Sequence, residues 1–77
     1  MLQYLPMDHG SDNDNPPRRS EIKIGTAVWV IEKPNYGTND YTQGLVAQIL
    51  SSTEFHPRGI KVRLTDGIVG RVQWLME

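Results

Sequence analysis

The sequence predicts an all-β fold, a small barrel of about five short strands behind a flexible N-terminal tail, and three observations predict it. From Ile22 onward the apolar residues come in short runs bounded by Gly, Pro and Asp, without the sustained 3.6-residue period of an amphipathic helix. Those runs are rich in β-branched and aromatic residues. Finally, the chain has 77 residues and 0 cysteines, and its 2 histidines, His9 and His56, lie far apart. Neither a disulfide framework nor a thiolate zinc site can substitute for a core, so a compact β fold must use the apolar residues efficiently.

The first 21 residues form the expected tail, because MLQYLPMDHGSDNDNPPRRSE is acidic, polar and closed by Pro16-Pro17 and Arg18-Arg19. Met1 to Ser20 is expected to be mobile, its only apolar patch being Leu2, Tyr4, Leu5 and Met7. It lacks the basic start and long apolar core of a signal peptide, which favours a cytoplasmic address. The domain is expected over residues 22–77. Its first strand is Ala27–Ile31, apolar on both faces between Gly25 and Pro34. Residues 34–43 make a polar loop carrying Tyr36 and Tyr41. Gly44–Leu50 is read as a bent strand, since Val46 and Ile49 break strict alternation and imply a bulge near its middle; a helix is the alternative for so short a run. Ile60–Leu64 alternates cleanly, and Ile68–Val72 follows it. Trp29 and Trp74 are expected in the core or capping an end of the barrel.

The connection between the last two runs decides which residues face outward. A two-residue Asp66-Gly67 loop would pair Val62 with Arg71 and force the arginine inside. A three-residue loop, Thr65-Asp66-Gly67 with Gly67 left-handed, pairs Leu64 with Ile68, Val62 with Gly70 and Ile60 with Val72, so that every inward residue is apolar or glycine. Lys61 then lies opposite Arg71, and Arg63 opposite Val69, gathering three cations on one outer surface. Opposed like charges destabilise a sheet unless an anion compensates them. Replacing both Lys61 and Arg71 by Gln is accordingly expected to stabilise the free domain slightly and to weaken an anionic ligand.

Charge and composition narrow the function. No run approaches the roughly 18 apolar residues of a membrane span. The formal net charge is −1, with −2 in the tail and +1 in the remainder, so strong non-specific coating of nucleic acid is excluded and any anion site must be local. Lys61, Arg63 and Arg71, joined by Arg58 and Lys33, form a candidate stripe for a nucleic-acid backbone, or else a solvated face screened by Glu32 and Glu54. His56-Pro57-Arg58-Gly59 reads as a rigid turn, with His56 and Arg58 as the alternative holders of a phosphate. No nucleophile with a third partner accompanies His56, so catalysis is not expected. Tyr36 and Tyr41 are candidates to stack on a base, or to form with Asp40 and Trp29 or Phe55 an aromatic cage for a methylated lysine.

The second half of the chain also resembles a known family, the YwbE-like small proteins. The residues that carry the resemblance are Gly44-Leu45-Val46, Ile49-Leu50, His56-Pro57-Arg58-Gly59-Ile60-Lys61-Val62-Arg63-Leu64 and Asp66-Gly67-Ile68-Val69-Gly70-Arg71-Val72-Gln73, with Gly25 and Val28–Ile31 matching less closely. The resemblance covers about Ile24 to Leu75, and implies an SH3-like, KOW-like barrel of the kind that binds RNA, ribosomal partners or peptides. Relatives usually carry a basic loop between the first two strands; here Pro34 to Gln43 holds no lysine or arginine.

These readings converge on a noncatalytic binding module without cofactor or metal, a monomer or weak homo-oligomer with no membrane association. Its expected partner is RNA or an RNA-containing assembly held by Arg58, Lys61, Arg63, Arg71, His56 and Lys33. The alternative is a protein or peptide module, SH3-like or Tudor-like, using the 34–43 loop, an apolar groove or an open strand edge.

Overall fold

The computed structural model describes residues 15–76. Four antiparallel strands follow one another in chain order: β1 (Ala27–Ile31), β2 (Tyr41–Ile49), β3 (Lys61–Leu64) and β4 (Val69–Leu75). They close into a barrel, β4 returning to pair with β1. Two 3-10 turns, η1 (Arg19–Glu21) and η2 (Lys33–Asn35), are the only helical elements among the described residues.

There is one strand fewer than expected: each of the four apolar runs supplies one strand, and β2 pairs with two neighbours in turn, so the barrel closes without a fifth. Its first half pairs with β1 from Tyr41 to Leu45, and its second half pairs with β3 from Val46 to Ile49. A register shift between Val46 and Gln48 bends it at the changeover, where the broken alternation predicted a bulge. The strand also starts at Tyr41, three residues before the predicted run, because Thr42 and Gly44 continue the inward-facing positions opposite Val30 and Val28.

The β3–β4 register is the one the three-residue loop requires, with Lys61 opposite Arg71, Val62 opposite Gly70 and Arg63 opposite Val69. The Gly67 amide donates to the Leu64 carbonyl, and the Ile68 amide to Asp66 Oδ1. Gly67 has φ +92°, and a Cβ there would meet no atom within 4 Å. Gly67→Ala is therefore expected to cost only the left-handed conformational penalty, about 1–2 kcal/mol, as a lowered urea midpoint with an unchanged slope.

The core is aliphatic: Ile22, Val28, Val30, Val46, Ile60, Val62, Leu64 and Val72 are buried, with Ile49, Ile68 and Leu75 packed against them. Trp29 and Trp74 do not join it. Val28 and Val30 take the inward positions of β1, so Trp29 falls outside, half-buried and paired with Trp74. Trp74 reaches the outer face because β4 carries an extra residue, Gln73, between the positions that pair with Val30 and Trp29.

Packing also extends upstream of Ile22. Pro16 is buried, the Arg19 amide donates to the Glu54 carbonyl at 2.8 Å, and Arg19 Nε donates to the Ser51 carbonyl at 2.8 Å. The Ser20 hydroxyl bonds Glu54, and the Arg18 guanidinium lies 5.2 Å from the Phe55 ring centre. The boundary read from composition at residue 21 thus falls inside a clasp that holds the 51–55 loop. The remainder of the expected mobile tail, residues 1–14, lies outside the described residues.

Candidate functional site

Residues paired directly across antiparallel strands point to the same side of the sheet. The outer face of the barrel therefore carries a cross-strand row, Tyr41 on β2, Ile31 on β1, Arg71 on β4 and Lys61 on β3. Beside it run Gln43, Trp29 and Trp74 on one flank, and Gln48, Arg63 and Val69 on the other. The three cations expected to share a surface do so.

Their environments differ. Lys61 is exposed. Arg63 is exposed and donates to the side-chain oxygen of its cross-strand neighbour Gln48. Arg71 is half-buried; its Nη1 donates to the Gly59 carbonyl at 3.2 Å, while its buried Nε has no partner among the described residues. The side-chain acceptors of both arginines are neutral oxygens, so their charge is not cancelled by them. The Leu64 amide bonds the Ile68 carbonyl and the Val72 amide the Ile60 carbonyl, which makes the intervening Lys61–Arg71 pair a non-hydrogen-bonded one, with Cα atoms about 4.5 Å apart. The structure thus divides a pair that the sequence treats alike. Lys61→Gln is expected to stabilise the domain by a few tenths of a kcal/mol by relieving repulsion. Arg71→Gln should instead destabilise it by about 1 kcal/mol through loss of the Gly59 contact, and thermal or urea unfolding of the two single variants separates these signs.

His56-Pro57-Arg58-Gly59 is the rigid turn its sequence suggested. The Gly59 amide donates to the His56 carbonyl at 2.9 Å, and the Arg58 amide to His56 Nδ1 at 3.0 Å, so that nitrogen of the imidazole is committed to the loop. The turn is fastened to β4 by the bulge residue: Gln73 is 6% exposed, and its Nε2 donates to the Arg58 carbonyl at 2.8 Å and the Arg71 carbonyl at 3.2 Å. Sequence reasoning missed Gln73. No break in the sequence pattern marks it, because the extra residue only exchanges the faces of the two large residues that follow, sending Trp74 outward and Leu75 against the core.

The turn forms one wall of a cleft of about 320 Å³, with Pro57 and Arg58 facing the loop Tyr36–Asn39 and Tyr41 across a floor of Ile31 and Gln73. Ile31 is only 7% exposed although it points away from the core, because these loops cover it. The Arg58 guanidinium sits 5.3 Å from the Tyr36 ring centre. Tyr41 meets Trp74 edge-on, ring centres 4.8 Å apart at 79°. The aromatic loop and the turn, separate candidates in the sequence, thus meet across one cleft, which Pro57 and Arg58 line and His56 does not. Lys33 lies in η2 at the start of the same connection, exposed and outside the lining. An aromatic cage does not assemble: Asp40, Trp29 and Phe55 are absent from the lining, and Phe55 lies under Arg18.

A family model described as an uncharacterized conserved protein (DUF2196) matches residues 15–75. The chain belongs to this YwbE-like family. A curated relative, the uncharacterized protein YwbE of Bacillus subtilis (strain 168), is 42% identical over 62 residues, which span 80% of this chain and 95% of the relative. No solved structure matches. The family match opens at residue 15, so the YwbE-like unit includes the clasp as well as the barrel. It also takes in both walls of the cleft and the whole cation row.

Proposed function

We propose that this YwbE-like barrel is a noncatalytic, KOW-like module that binds single-stranded RNA, alone or within an RNA-containing assembly. The observation that carries the reading is the cross-strand row itself: Tyr41 and Ile31 belong to the cleft, and the same row continues into Arg71 and Lys61. At about 4.8 Å per strand spacing it runs about 14 Å along the surface, from an aromatic slot to a cationic track. Stacking rings beside a basic track are what a single strand needs, since every base has a π-face and every linkage a negative charge. Arg58 and Arg63 flank the track, and arginines whose partners are neutral oxygens keep their charge for phosphate.

The peptide reading is less well supported. The four strands close on themselves, which leaves strand addition no open edge, and the cleft already holds a guanidinium against Tyr36. Titration of the full chain with single-stranded and duplex RNA at several salt concentrations tests the proposal. If Arg58, Lys61, Arg63 and Arg71 each neutralise one phosphate, the log-log salt slope for the single strand should be about −3, and Lys61→Gln with Arg63→Gln should bring it to about −1.5. Absent or salt-insensitive binding would instead favour a protein partner.

A further inference from the structure

We infer that the cleft is a pocket for one unstacked base, so that the module distinguishes single strands from duplex by capturing a base rather than by reading phosphates alone. The inference rests on the RNA-binding reading and assigns the cleft a ligand of its own. Its volume, about 320 Å³, is at the lower end of small-ligand pockets, which suits one ring system and not a base-paired step. Its walls set the chemistry. Tyr36 and Tyr41 offer aromatic faces and edges, and Ile31 and Pro57 supply apolar floor and rim. Asn39 adds an amide able to donate to and accept from a base edge.

Charge decides between the ligands that aromatic walls can take. Cationic groups such as methylated lysine are held by ring faces, but here the Tyr36 ring already carries the protein's own cation, Arg58. A second cation would be repelled, whereas a base can stack on either the ring or the guanidinium plane while its phosphate pairs with Arg58. A duplex keeps its bases stacked and paired, and its outer surface offers the cleft no ring.

The test uses the full chain and four probes followed by amide NMR: AMP, UMP, ribose 5-phosphate and trimethyl-lysine. Saturable shifts at Gly37, Thr38, Asn39 and Arg58 are expected with AMP and UMP, at least fivefold weaker with ribose 5-phosphate, and abolished for the nucleotides by Tyr36→Ala. Equal responses to ribose 5-phosphate and AMP would overturn the base pocket and leave a phosphate site. Cleft shifts with trimethyl-lysine alone would overturn it in favour of a cation site. Oligonucleotide titration in parallel separates the two readings. Salt-dependent RNA binding without base-dependent cleft shifts removes the pocket only. Base-dependent shifts without RNA binding keep the pocket and remove the RNA module.

Discussion

Gly59→Ala is expected to lose on the order of 4 kcal/mol of folding stability, enough to leave a domain of this size largely unfolded near physiological temperature. Two effects act together. Gly59 has φ +103°, a conformation that side chains rarely adopt, and an added Cβ would stand 2.2 Å from the Val72 carbonyl oxygen and 3.1 Å from its carbon. Neither neighbour can yield, because both are backbone of β4, and the Val72 amide is itself bonded to the Ile60 carbonyl. Circular dichroism during urea unfolding measures the loss. A variant within about 1 kcal/mol of the parent would mean that the turn does not seat on β4 as described. Gly67→Ala, with the same backbone strain and no collision, is the internal control.

The largest effect expected on binding is that of Tyr36→Ala, a loss of about 1–3 kcal/mol for a single-stranded oligonucleotide, or roughly 5- to 150-fold in Kd, with little change in stability. Tyr36 lies on a loop, outside the core cluster, so truncating it removes a wall without opening a cavity in the barrel. Arg58→Ala is the matching variant on the opposite wall. The bonds that hold the turn use the Arg58 backbone, its amide to His56 and its carbonyl to Gln73, so the side chain can be removed while the turn stays in place. Arg58→Lys should recover the salt dependence and not the stacking. Fluorescence anisotropy with labelled oligonucleotides, read beside the unfolding curves, separates binding from folding. Undiminished affinity in Tyr36→Ala would place the RNA elsewhere on the surface.

The parts of this fold that were legible in the sequence were those in which one local rule dominates. Residues 65–67 fix the β3–β4 register because the competing loop length would bury Arg71, and burying an unpaired charge is costly. The bulge in β2 shows as a break in alternation at Val46 and Ile49 because a strand has only two faces. Sites built from segments distant in the chain were harder to read. That Tyr36 and Arg58 would meet depends on how far the 36–39 loop folds over β1 and on the added residue at Gln73, neither of which leaves a periodic trace. The tryptophans stay out of the core for a related reason: size and hydrophobicity favour burial, but in β1 the alternate valines already fill the inside, and face outweighs bulk. The clasp was hidden by composition, since Pro16-Pro17-Arg18-Arg19 reads as linker unless the carbonyls at Ser51 and Glu54 that receive Arg19 are known.

Closure of the barrel between β1 and β4 also bears on the order of folding. The β3–β4 hairpin joins residues separated by a three-residue loop and can assemble on the microsecond scale of isolated hairpins, whereas the Ile31–Arg71 pairing must bridge most of the domain. That long loop is the slow one to close, so the β1–β4 seam is expected to form last. The cleft straddles the seam: Ile31 stands on one side of it, Gln73 and the turn it fastens on the other. During refolding, then, nucleotide-binding capacity should lag behind the appearance of strand structure and emerge with the final kinetic phase, making ligand capture a stopwatch for the last step of assembly.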